Sequence, residues 1–260
     1  MSSLERFPLR SGVSTVVRRE QLTPRMLRLT LTAPDFGPDW PIRQPGEIIT
    51  LLFIPQGEPI VLPVVGWRFP GGAPTQEWRN YTVRAHRPVP AEIDVDVLLH
   101  EPRGPACTWA AAAQVGDEVG YAGPRIDFAP EPDAGWTVLC GDETALPAIA
   151  AILETTPDGQ PVQALVEVDG PTDEVPLALR DGQRLDWVHR SGEPAGATDV
   201  LAAALRRIEL PEGVGQAWGA AESKIARDLR EVLRDELGMP KSHARARGYW
   251  LRSGEWDLSE

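Results

Sequence analysis

The spacing of apolar residues changes near the middle of this chain, and this change most constrains its fold. In RMLRLTLTAP, residues 25–34, Leu27, Leu29 and Leu31 alternate with polar residues, which is the period of a half-buried strand. In WTVLCGDETALPAIAAILE, residues 136–154, an apolar run passes through a turn into a stretch typical of a helix. The segment APEPDAG separates the two patterns. We therefore predict two domains, residues 1–130 and residues 131–260.

The first half of the chain consists of short apolar stretches that are typical of β-strands. Turn-forming residues separate these stretches at intervals that favour an antiparallel barrel. The stretches that we interpret as strands are RMLRLTLTAP, GEIITLLFIP (46–55), RNYTVRAH (79–86), AEIDVDVLLH (91–100) and GDEVGYAGPR (116–125).

The second half alternates predicted strands with predicted helices. VQALVEV (162–168) and GQAWGAAES (215–223) are typical of strands, and LAAALRRI (201–208) is typical of a helix. In ESKIARDLREVLRDEL (222–237), the apolar residues fall on one helical face. This alternation predicts an open parallel sheet with helical crossovers, which binds ligands at the carboxyl ends of its strands.

Charge and composition exclude several classes of function. The 260 residues carry a net charge of -12, which disfavours nucleic acid as a partner. We find no signal-peptide core and no apolar run long enough to span a membrane. With only two cysteines, the chain cannot supply the four cysteine ligands of an iron–sulfur cluster, and a reducing compartment is indicated. We therefore expect a cytoplasmic protein.

The stretch RNYTVR combines a cation, an aromatic ring and a hydroxyl group in a short space. Arg79 can make bidentate contacts with a phosphate, Tyr81 offers a flat face to a planar ring, and Thr82 can place a hydroxyl at the edge of that ring. From these residues alone, a barrel strand with solvated arginines and a core tyrosine remains an alternative.

The stretch HEPRGPACTWA passes from a strand through a turn into a helix. Gly104 and Pro105 place the backbone N–H groups of Ala106, Cys107 and Thr108 at the start of that helix. Unpaired donors at a helix start attract phosphate. An ordinary turn explains the stretch as well, but the arginine-bearing strand before it favours a diphosphate site.

The stretch GDETALPAI lacks the usual Gly-x-Gly-x-x-Gly fingerprint of a dinucleotide site. Gly141 permits a turn, Thr144 can cap the following helix, and Pro147 suits the first turn of that helix. A capped structural helix and a ligand-binding turn both remain open on these residues.

Basic residues cluster near the end of this acidic chain, in KSHARARGYWLRSG. A solvated basic loop explains each charge singly, whereas the cluster favours an anionic ligand. The four histidines of the chain have no spacing typical of a metal site, so we predict no bound metal ion.

Taken in order, these stretches resemble the siderophore-interacting proteins. These are flavin-dependent ferric-siderophore reductases of the ferredoxin-reductase superfamily. The resemblance covers about residues 14–254 and rests on LTPRMLRLTL, RNYTVR, GPACTWA, AGPR, GDETALPAI, WGAAES and GYWLRSG. It implies a β plus α/β fold: an antiparallel six-stranded FAD-binding barrel over residues 1–130, then an open parallel-sheet NAD(P)H-binding domain over residues 131–260.

The resemblance also implies roles for individual residues. Arg79 would meet the FAD diphosphate, Tyr81 would stack on the isoalloxazine, and Thr82 would lie near its reactive nitrogen. Arg125 and Arg252 would face the ferric siderophore. The other residues expected at the FAD and NAD(P)H sites are His100, Gly104, Pro105, Ala106, Cys107, Thr108, Gly141, Asp142, Glu143, Thr144, Ala220, Glu222, Lys224 and Trp250.

This chain departs from the usual family pattern at several positions. Glu101 replaces a glycine, Cys107 a serine and Ile126 a glycine. Thr50 and Leu251 stand where the family often has basic residues, which thins the positive patch expected around the substrate.

The implied function is reduction of a ferric siderophore to release Fe(II), with electrons passing from NAD(P)H through FAD. The flavin carries the chemistry, so we expect no catalytic side chain. Two alternatives remain. One is an NAD(P)H–flavin reductase that passes electrons to a small redox protein, and the other is a non-catalytic siderophore- or flavin-binding module. A small redox protein is also an alternative electron donor.

Overall fold

The chain divides into two compact units, Met1–Ala129 and Pro130–Glu260. The structure, a computed structural model, describes residues 10–41, 45–53, 59–64, 68–70, 76–101 and 103–252. The ends of the two predicted domains, residues 1–9 and 253–260, lie outside the described residues, as do the last two residues of GYWLRSG.

The first unit is a mainly antiparallel β structure with one α-helix among its described residues. Its elements are β1 Arg10–Gln21, β2 Met26–Thr32, β3 Ile48–Phe53, β4 Glu77–Thr82, β5 Ala85–Arg87, β6 Glu92–Leu98, α1 Pro105–Ala112 and β7 Glu118–Arg125, with a short 3₁₀ helix at Pro34–Phe36. The seven strands form one sheet in the order β4-β3-β7-β1-β2-β6-β5.

This sheet curls around an apolar core. Strand β4 lies at one end of the sheet and contacts β6, which lies next to the other end. Leu27, Leu29 and Leu31 of β2 are fully buried in the core, as their alternation predicts. The predicted barrel fold is therefore confirmed, with seven strands instead of six.

Two of the seven strands go beyond the five stretches predicted as strands: β1 Arg10–Gln21 was not predicted, and β5 arises because the predicted strand 79–86 is divided in two. Strand β4 pairs with β3 as far as Thr82. The Val83 N–H then donates to the Glu47 carbonyl at 2.7 Å, and the Arg84 N–H donates to the Asp94 carbonyl at 2.8 Å. The chain thus changes its partner at Arg84, and β5 continues against β6.

The second unit is an α/β structure with a parallel sheet. Its elements are β8 Trp136–Gly141, α2 Leu146–Thr155, β9 Val162–Val168, β10 Gln183–His189, α3 Val200–Leu205, β11 Gly215–Glu222, α4 Ser223–Glu231, a π-helical turn Val232–Glu236 and β12 Ala244–Trp250, with a 3₁₀ helix at Pro171–Asp173. The sheet order is β10-β9-β8-β11-β12, and all the pairs are parallel.

Strand β8 lies at the centre of this sheet and leads into the GDETALPAI turn. All six of its residues are buried. A Cβ atom at Gly141 would collide with Ala145 and with the carbonyl oxygen of Ala220. Glycine at this position therefore lets the turn pack closely against β11, as the strand–turn–helix pattern requires.

The predicted helix at residues 222–237 is confirmed, with an altered end. Ile225, Leu229 and Val232 lie in the core of the unit, whereas the last turn is π-helical, with the Leu237 N–H bonded to the Val232 carbonyl. Among the described residues, no helix is both long and apolar enough to cross a membrane.

Candidate functional site

Arg79 lies on β4 with its guanidinium group at the surface. Nη1 donates to Oε2 of Glu77 at 3.1 Å and to the carbonyl oxygen of Trp78 at 2.6 Å. The side chains of Arg79 and Glu77 are 49% and 54% exposed. An ion pair of this kind contributes about 0–1 kcal/mol, so an anionic ligand can displace the carboxylate at little cost.

Tyr81 and Thr82 follow on the same strand and are more enclosed. The Tyr81 ring packs against the core, with its centroid 6.4 Å from that of Phe53. Burial raises the pKa of Tyr81 well above its usual range and the neighbouring Cys107 adds to the shift, so the hydroxyl stays protonated. Thr82 is buried, on the opposite face of the strand.

The turn before α1 is open. Gly104 is the N-cap of the helix, and no side chain caps it. Apart from Gly104 itself and its two chain neighbours, no atom of the described residues lies within 4 Å of the position that a Cβ on Gly104 would take. The helix begins at Pro105, and the N–H groups of Ala106 and Cys107 have no intrahelical acceptor in its first turn. Thr108 is exposed, and its N–H bonds to the Gly104 carbonyl at 2.9 Å.

Hydrogen bonds between the backbone of His100 and the thiol of Cys107 connect the two sides of this turn. The His100 N–H lies 3.3 Å from Sγ of Cys107, and the Cys107 thiol lies 3.5 Å from the His100 carbonyl. Cys107 is buried, whereas His100 is exposed. The cysteine therefore supports the backbone at the strand end, which is a structural task.

These features of the first unit fit FAD. Helix α1 packs against β4, so the uncapped helix start and the strand with Arg79 and Tyr81 are neighbours. A guanidinium group and helix-start N–H groups that have no intrahelical acceptor suit a diphosphate, and an aromatic ring with a protonated hydroxyl suits a flavin ring.

Arg125 lies at the end of β7 and is held by a residue that the sequence analysis did not identify. Its Nη2 donates to Oδ1 of Asn80 at 2.7 Å, and Oγ1 of Thr50 donates to the same oxygen at 2.7 Å. Burial lowers the pKa of Arg125, while Asp127 opposes the shift. Asn80 lies inside RNYTVR, a stretch that the sequence analysis had already selected, so its position could have identified it as a site residue.

Asp142 joins three strand ends in the second unit. Its Oδ2 accepts from Nε1 of Trp250 at 2.8 Å and from the Glu222 N–H at 3.0 Å. Its Oδ1 accepts from the N–H and the hydroxyl of Thr144 at 2.9 and 2.5 Å. The Asp142 N–H bonds to the carbonyl of buried Ala220 at 3.2 Å. Burial raises the pKa of Asp142 although the hydrogen bonds from Thr144 and Trp250 oppose this.

Glu143 forms a buried ion pair with Arg190, another residue that the sequence analysis missed. The guanidinium group contacts both carboxylate oxygens at 2.8 and 2.9 Å, and the side chains are 3% and 2% exposed. Glu167 lies 3.8 Å from the same arginine. Burial raises the pKa of Glu167 to about 7, the charge of Asp142 adds to the shift, and Arg190 opposes it. Glu167 stands in the otherwise largely apolar stretch VQALVEV, and this buried acidic residue could have indicated that a basic partner lies close to it.

Glu222 caps helix α4. Its Oε2 accepts from the N–H groups of Lys224 and Ile225 at 2.6 and 3.3 Å. The Lys224 side chain is 71% exposed and pairs with Asp228 at 2.9 Å. Arg252 is exposed, and its N–H donates to Oε1 of Glu222 at 3.3 Å.

The structure thus brings the predicted residues into distinct groups. Arg79, Tyr81 and the α1 turn lie together in the first unit, whereas Asp142, Thr144, Glu222 and Trp250 lie together in the second. Arg125 and Arg252 belong to different units. Within the described part of the chain, no three His, Cys, Asp or Glu side chains come together in a way that could hold a metal ion.

Comparison with known proteins identifies both units. Residues 15–128 match the siderophore-interacting FAD-binding domain, and residues 134–253 match the siderophore-interacting protein family. The crystal structure of a siderophore utilization protein from T. fusca is 35% identical, with a TM-score of 0.86 over 98% of each chain. The ferric vibriobactin reductase ViuB of Vibrio cholerae is 32% identical over 247 residues, which are 91% of this chain and 88% of ViuB.

A more distant structure shows the same fold. The ferredoxin NADP+ reductase from Neisseria gonorrhoeae, with bound FAD and NADP, is 16% identical, with a TM-score of 0.64 over 92% of this chain and 98% of that one. The resemblance inferred from the motifs and the fold class are confirmed. The predicted cofactors, FAD and NAD(P)H, are confirmed at the level of family and fold, and the roles of individual residues stay predictions.

Proposed function

Since the chain belongs to the siderophore-interacting protein family, we propose that it is an oxidoreductase that uses FAD and NAD(P)H to reduce a ferric siderophore and release Fe(II). The observation that carries this proposal is the grouping on β4 and α1 of an exposed arginine, a packed tyrosine ring and an open helix start.

Arg79 and the α1 turn would hold the FAD diphosphate. Arg79 exchanges its exposed contact with Glu77 for a bidentate contact with phosphate oxygens. The N–H groups of Ala106 and Cys107 donate to the diphosphate, whose charge the helix start also favours. The missing side chain at Gly104 leaves room for this approach.

Tyr81 would support the flavin ring. Its ring is fixed by the packing against the core, so the ring can stack on a ligand without losing conformational freedom. Its hydroxyl stays protonated because burial raises its pKa, so the residue adds no negative charge beside the flavin. Thr82 is buried, and its predicted place near the reactive nitrogen of the flavin stays a prediction.

No side chain has to act as an acid or base in this reaction. When bound, FAD accepts two electrons from NAD(P)H and releases them singly, which suits Fe(III) as the acceptor. Each NAD(P)H therefore reduces two ferric chelates. Arg125, held by Asn80, offers a cation to an anionic chelate. Iron leaves the chelate because hard oxygen ligands hold Fe(II) less strongly than Fe(III).

NAD(P)H would bind to residues 131–260, and FAD to residues 1–130. The carboxyl ends of β8, β11 and β12 come together through Asp142, and this edge is where an open parallel sheet binds ligands. Three acidic residues of this region are buried: Asp142, Glu143 and Glu222. They would therefore support the backbone around the site, and exposed residues would make the direct contacts with NAD(P)H.

The test is a sequential reduction under argon. The purified protein receives NADH or NADPH, then a ferric tris-catecholate or a ferric tris-hydroxamate siderophore, with ferrozine present to trap Fe(II). We expect the flavin absorbance to bleach with the donor and to return with the siderophore, as the ferrozine complex appears. Omitting the siderophore should leave the flavin bleached.

Other outcomes would overturn the proposal in identifiable ways. A bound flavin that neither NADH nor NADPH bleaches would indicate another electron donor, such as a small redox protein, or a binding role alone. Reoxidation of the flavin while the siderophore retains its iron would contradict iron release. A protein that takes up no FAD would contradict the assignment of Arg79 and Tyr81.

A further inference from the structure

The turn after β8, residues 141–144, is held from both sides of the parallel sheet. Asp142 connects it to the ends of β11 and β12, which lie on one side of β8. On the other side lie β9 and β10, and Arg190 directly follows β10. The buried ion pair between Glu143 and Arg190 therefore connects the turn to this second side.

The backbone of Arg190 is fixed to the end of β9. Its N–H donates to the Val168 carbonyl at 3.0 Å. Two residues later, the Gly192 N–H donates to Oδ1 of Asp169 at 2.7 Å. The guanidinium group thus extends from an anchored segment, so a change in its contact with Glu143 affects the turn.

Glu167 is a second carboxylate beside the same guanidinium nitrogen. Nη1 of Arg190 donates to Oε2 of Glu143 at 2.8 Å and lies 3.8 Å from Oε1 of Glu167. The Glu167 side chain is 4% exposed, and no hydrogen bond from another described residue reaches its carboxylate. A buried carboxylate is costly when it is charged and not hydrogen-bonded, so an ionised Glu167 attracts this nitrogen strongly.

The charges around Glu167 bring its titration close to neutral pH. The charged groups that face it are Asp142 and Glu143 in the turn, and Arg190. Its neighbour on β10, Val188, is apolar, and helix α3, which packs on β9, has the sequence VLAAAL. Burial raises the pKa of Glu167 to about 7, and the two acidic side chains add to the shift, which Arg190 opposes.

We propose that Glu143, Glu167 and Arg190 form a pH-dependent switch that positions the turn of residues 141–144. While Glu167 holds a proton, the guanidinium group stays bonded to Glu143 and the turn is fixed. When Glu167 releases its proton to water, Nη1 moves toward the new carboxylate, and its contact with Glu143 weakens.

Arg190 is thus a positioning residue, which acts on the turn through Glu143. The movement of the turn follows from the cluster alone. Its consequence, weaker binding of the nicotinamide cofactor at alkaline pH, rests on the proposed function, since this turn lies at the edge where we expect NAD(P)H to bind.

The first test follows the turn without a nucleotide. Backbone N–H groups of this segment bond to Ala220 and to Asp142, so their hydrogen exchange reports the opening of the turn. We expect protection of residues 141–146 in the FAD-loaded protein, measured by mass spectrometry, to fall about 5-fold between about pH 6 and about pH 8, after correction for the intrinsic exchange rate. In Glu167→Gln, whose carboxamide stays neutral, protection should be constant.

Two further variants control this test. Glu209→Gln changes an exposed glutamate and should follow the wild type. Arg190→Lys keeps the charge but loses the fork that holds both oxygens of Glu143, so the turn should already be less protected at about pH 6. Constant protection in the wild type, or an equal fall in the wild type and Glu167→Gln, overturns the switch.

The second test measures the link to the nucleotide by calorimetric titration with NAD+ and, separately, with NADP+. If the protonated form of Glu167 favours binding, binding must raise its proton affinity by the same factor. Titration at about pH 7 in phosphate and in Tris, two buffers with different enthalpies of ionisation, should therefore show proton uptake by the wild type and none by Glu167→Gln. The wild-type affinity should fall about 5-fold from about pH 6 to about pH 8. Equal uptake by both proteins contradicts the link.

Failure of this inference is distinguishable from failure of the proposed function. If NAD(P)H bleaches the flavin but protection of the turn does not depend on Glu167, the switch is wrong and the function stands. If the turn responds to Glu167 but the protein binds neither nucleotide, the switch stands and the proposed electron donor is wrong.

Discussion

The two units present their motif residues in opposite ways. In the first unit, Arg79 is held by an exposed pair, and the turn at Gly104 is open. In the second unit, Asp142 and Glu143 are buried, and their carboxylates are engaged by other residues of the same unit. Arg79 and the turn at Gly104 are therefore available to a ligand, whereas Asp142 and Glu143 are bonded within their own unit.

This difference predicts different consequences of substitution. An exposed ion pair contributes about 0–1 kcal/mol, so changing Arg79 should alter ligand binding and leave folding intact. Removing one partner of a buried ion pair costs about 3–5 kcal/mol, so changing the Glu143 cluster should alter folding first.

Arg190→Ala should cause the largest loss of stability. The substitution leaves Glu143 and Glu167 buried and Asp169 close by, without the guanidinium group that compensates them. We expect the free energy of unfolding to fall by about 3–5 kcal/mol, measured by urea denaturation followed by tryptophan fluorescence.

Arg184→Ala is the matched control, since Arg184 lies on β10 and Arg190 directly follows that strand. Arg184 is 71% exposed and pairs with Asp186 at 2.9 Å, so its loss should cost less than about 1 kcal/mol. Equal effects of the two substitutions would show that burial does not separate the two classes of residue.

Glu167→Gln should stabilise the protein at alkaline pH. The pKa of Glu167 is raised to about 7, so the folded state binds the proton more tightly than the unfolded state. The resulting stability is fully present below the usual pKa of a glutamate, about 4.3, and is lost as the pH rises through about 7. At about pH 8 the variant should exceed the wild type by about 2–3 kcal/mol, and near pH 4.5 the two should be similar.

The measurement is urea denaturation of both proteins across this range. Glu209→Gln, a substitution at an exposed glutamate, should follow the wild type at every pH. If the wild type and Glu167→Gln keep parallel pH profiles, another group carries the pH dependence.

Local patterns made much of the fold predictable. The alternation in β2 identified a strand because one face of that strand is buried, and the GDETALPAI stretch identified a strand, a turn and a helix that are adjacent in the chain. The division of residues 79–86 was not predictable, because it depends on hydrogen bonds from Val83 and Arg84 to Glu47 and Asp94.

The site residues that escaped prediction are those whose partners are distant in the chain. Glu143 and Arg190 are 47 residues apart, and Asn80 and Arg125 are 45 residues apart. These pairs meet because of the order of the strands in each sheet, which no local pattern specifies. The sequence therefore identified the residues of each motif better than their partners.

Arg79→Ala should weaken FAD binding without weakening the fold. Loss of a bidentate contact with the diphosphate should raise the dissociation constant about 10–30-fold, measured by titrating the apoprotein with FAD. The unfolding free energy of the apoprotein should change by less than about 1 kcal/mol. Arg18→Ala is the control, since Arg18 is a 55% exposed arginine on β1 that pairs with Glu92. Unchanged affinity in Arg79→Ala would remove Arg79 from the site.

Asn80→Leu should have the smallest effect, because it acts through Arg125. The substitution removes the oxygen that accepts from both Arg125 and Thr50, so the guanidinium group keeps its charge and loses one anchor. We expect about 3–5-fold weaker binding of a ferric tris-catecholate chelate, measured by quenching of tryptophan fluorescence. Thr50→Val leaves the contact between Asn80 and Arg125 in place, so it should bind the chelate like the wild type.

A double-mutant cycle decides whether Asn80 positions Arg125 or binds the chelate itself. In an Arg125→Ala background there is no guanidinium group left to hold, so Asn80→Leu should cause no further loss of affinity. An equal loss with and without Arg125 would assign Asn80 a direct contact with the chelate. In that case Arg125 would not depend on its hydrogen bond with Asn80. Arg125 would then behave like the exposed Arg79 of the same unit, and unlike Asp142 and Glu143, which are bonded to other residues of the second unit.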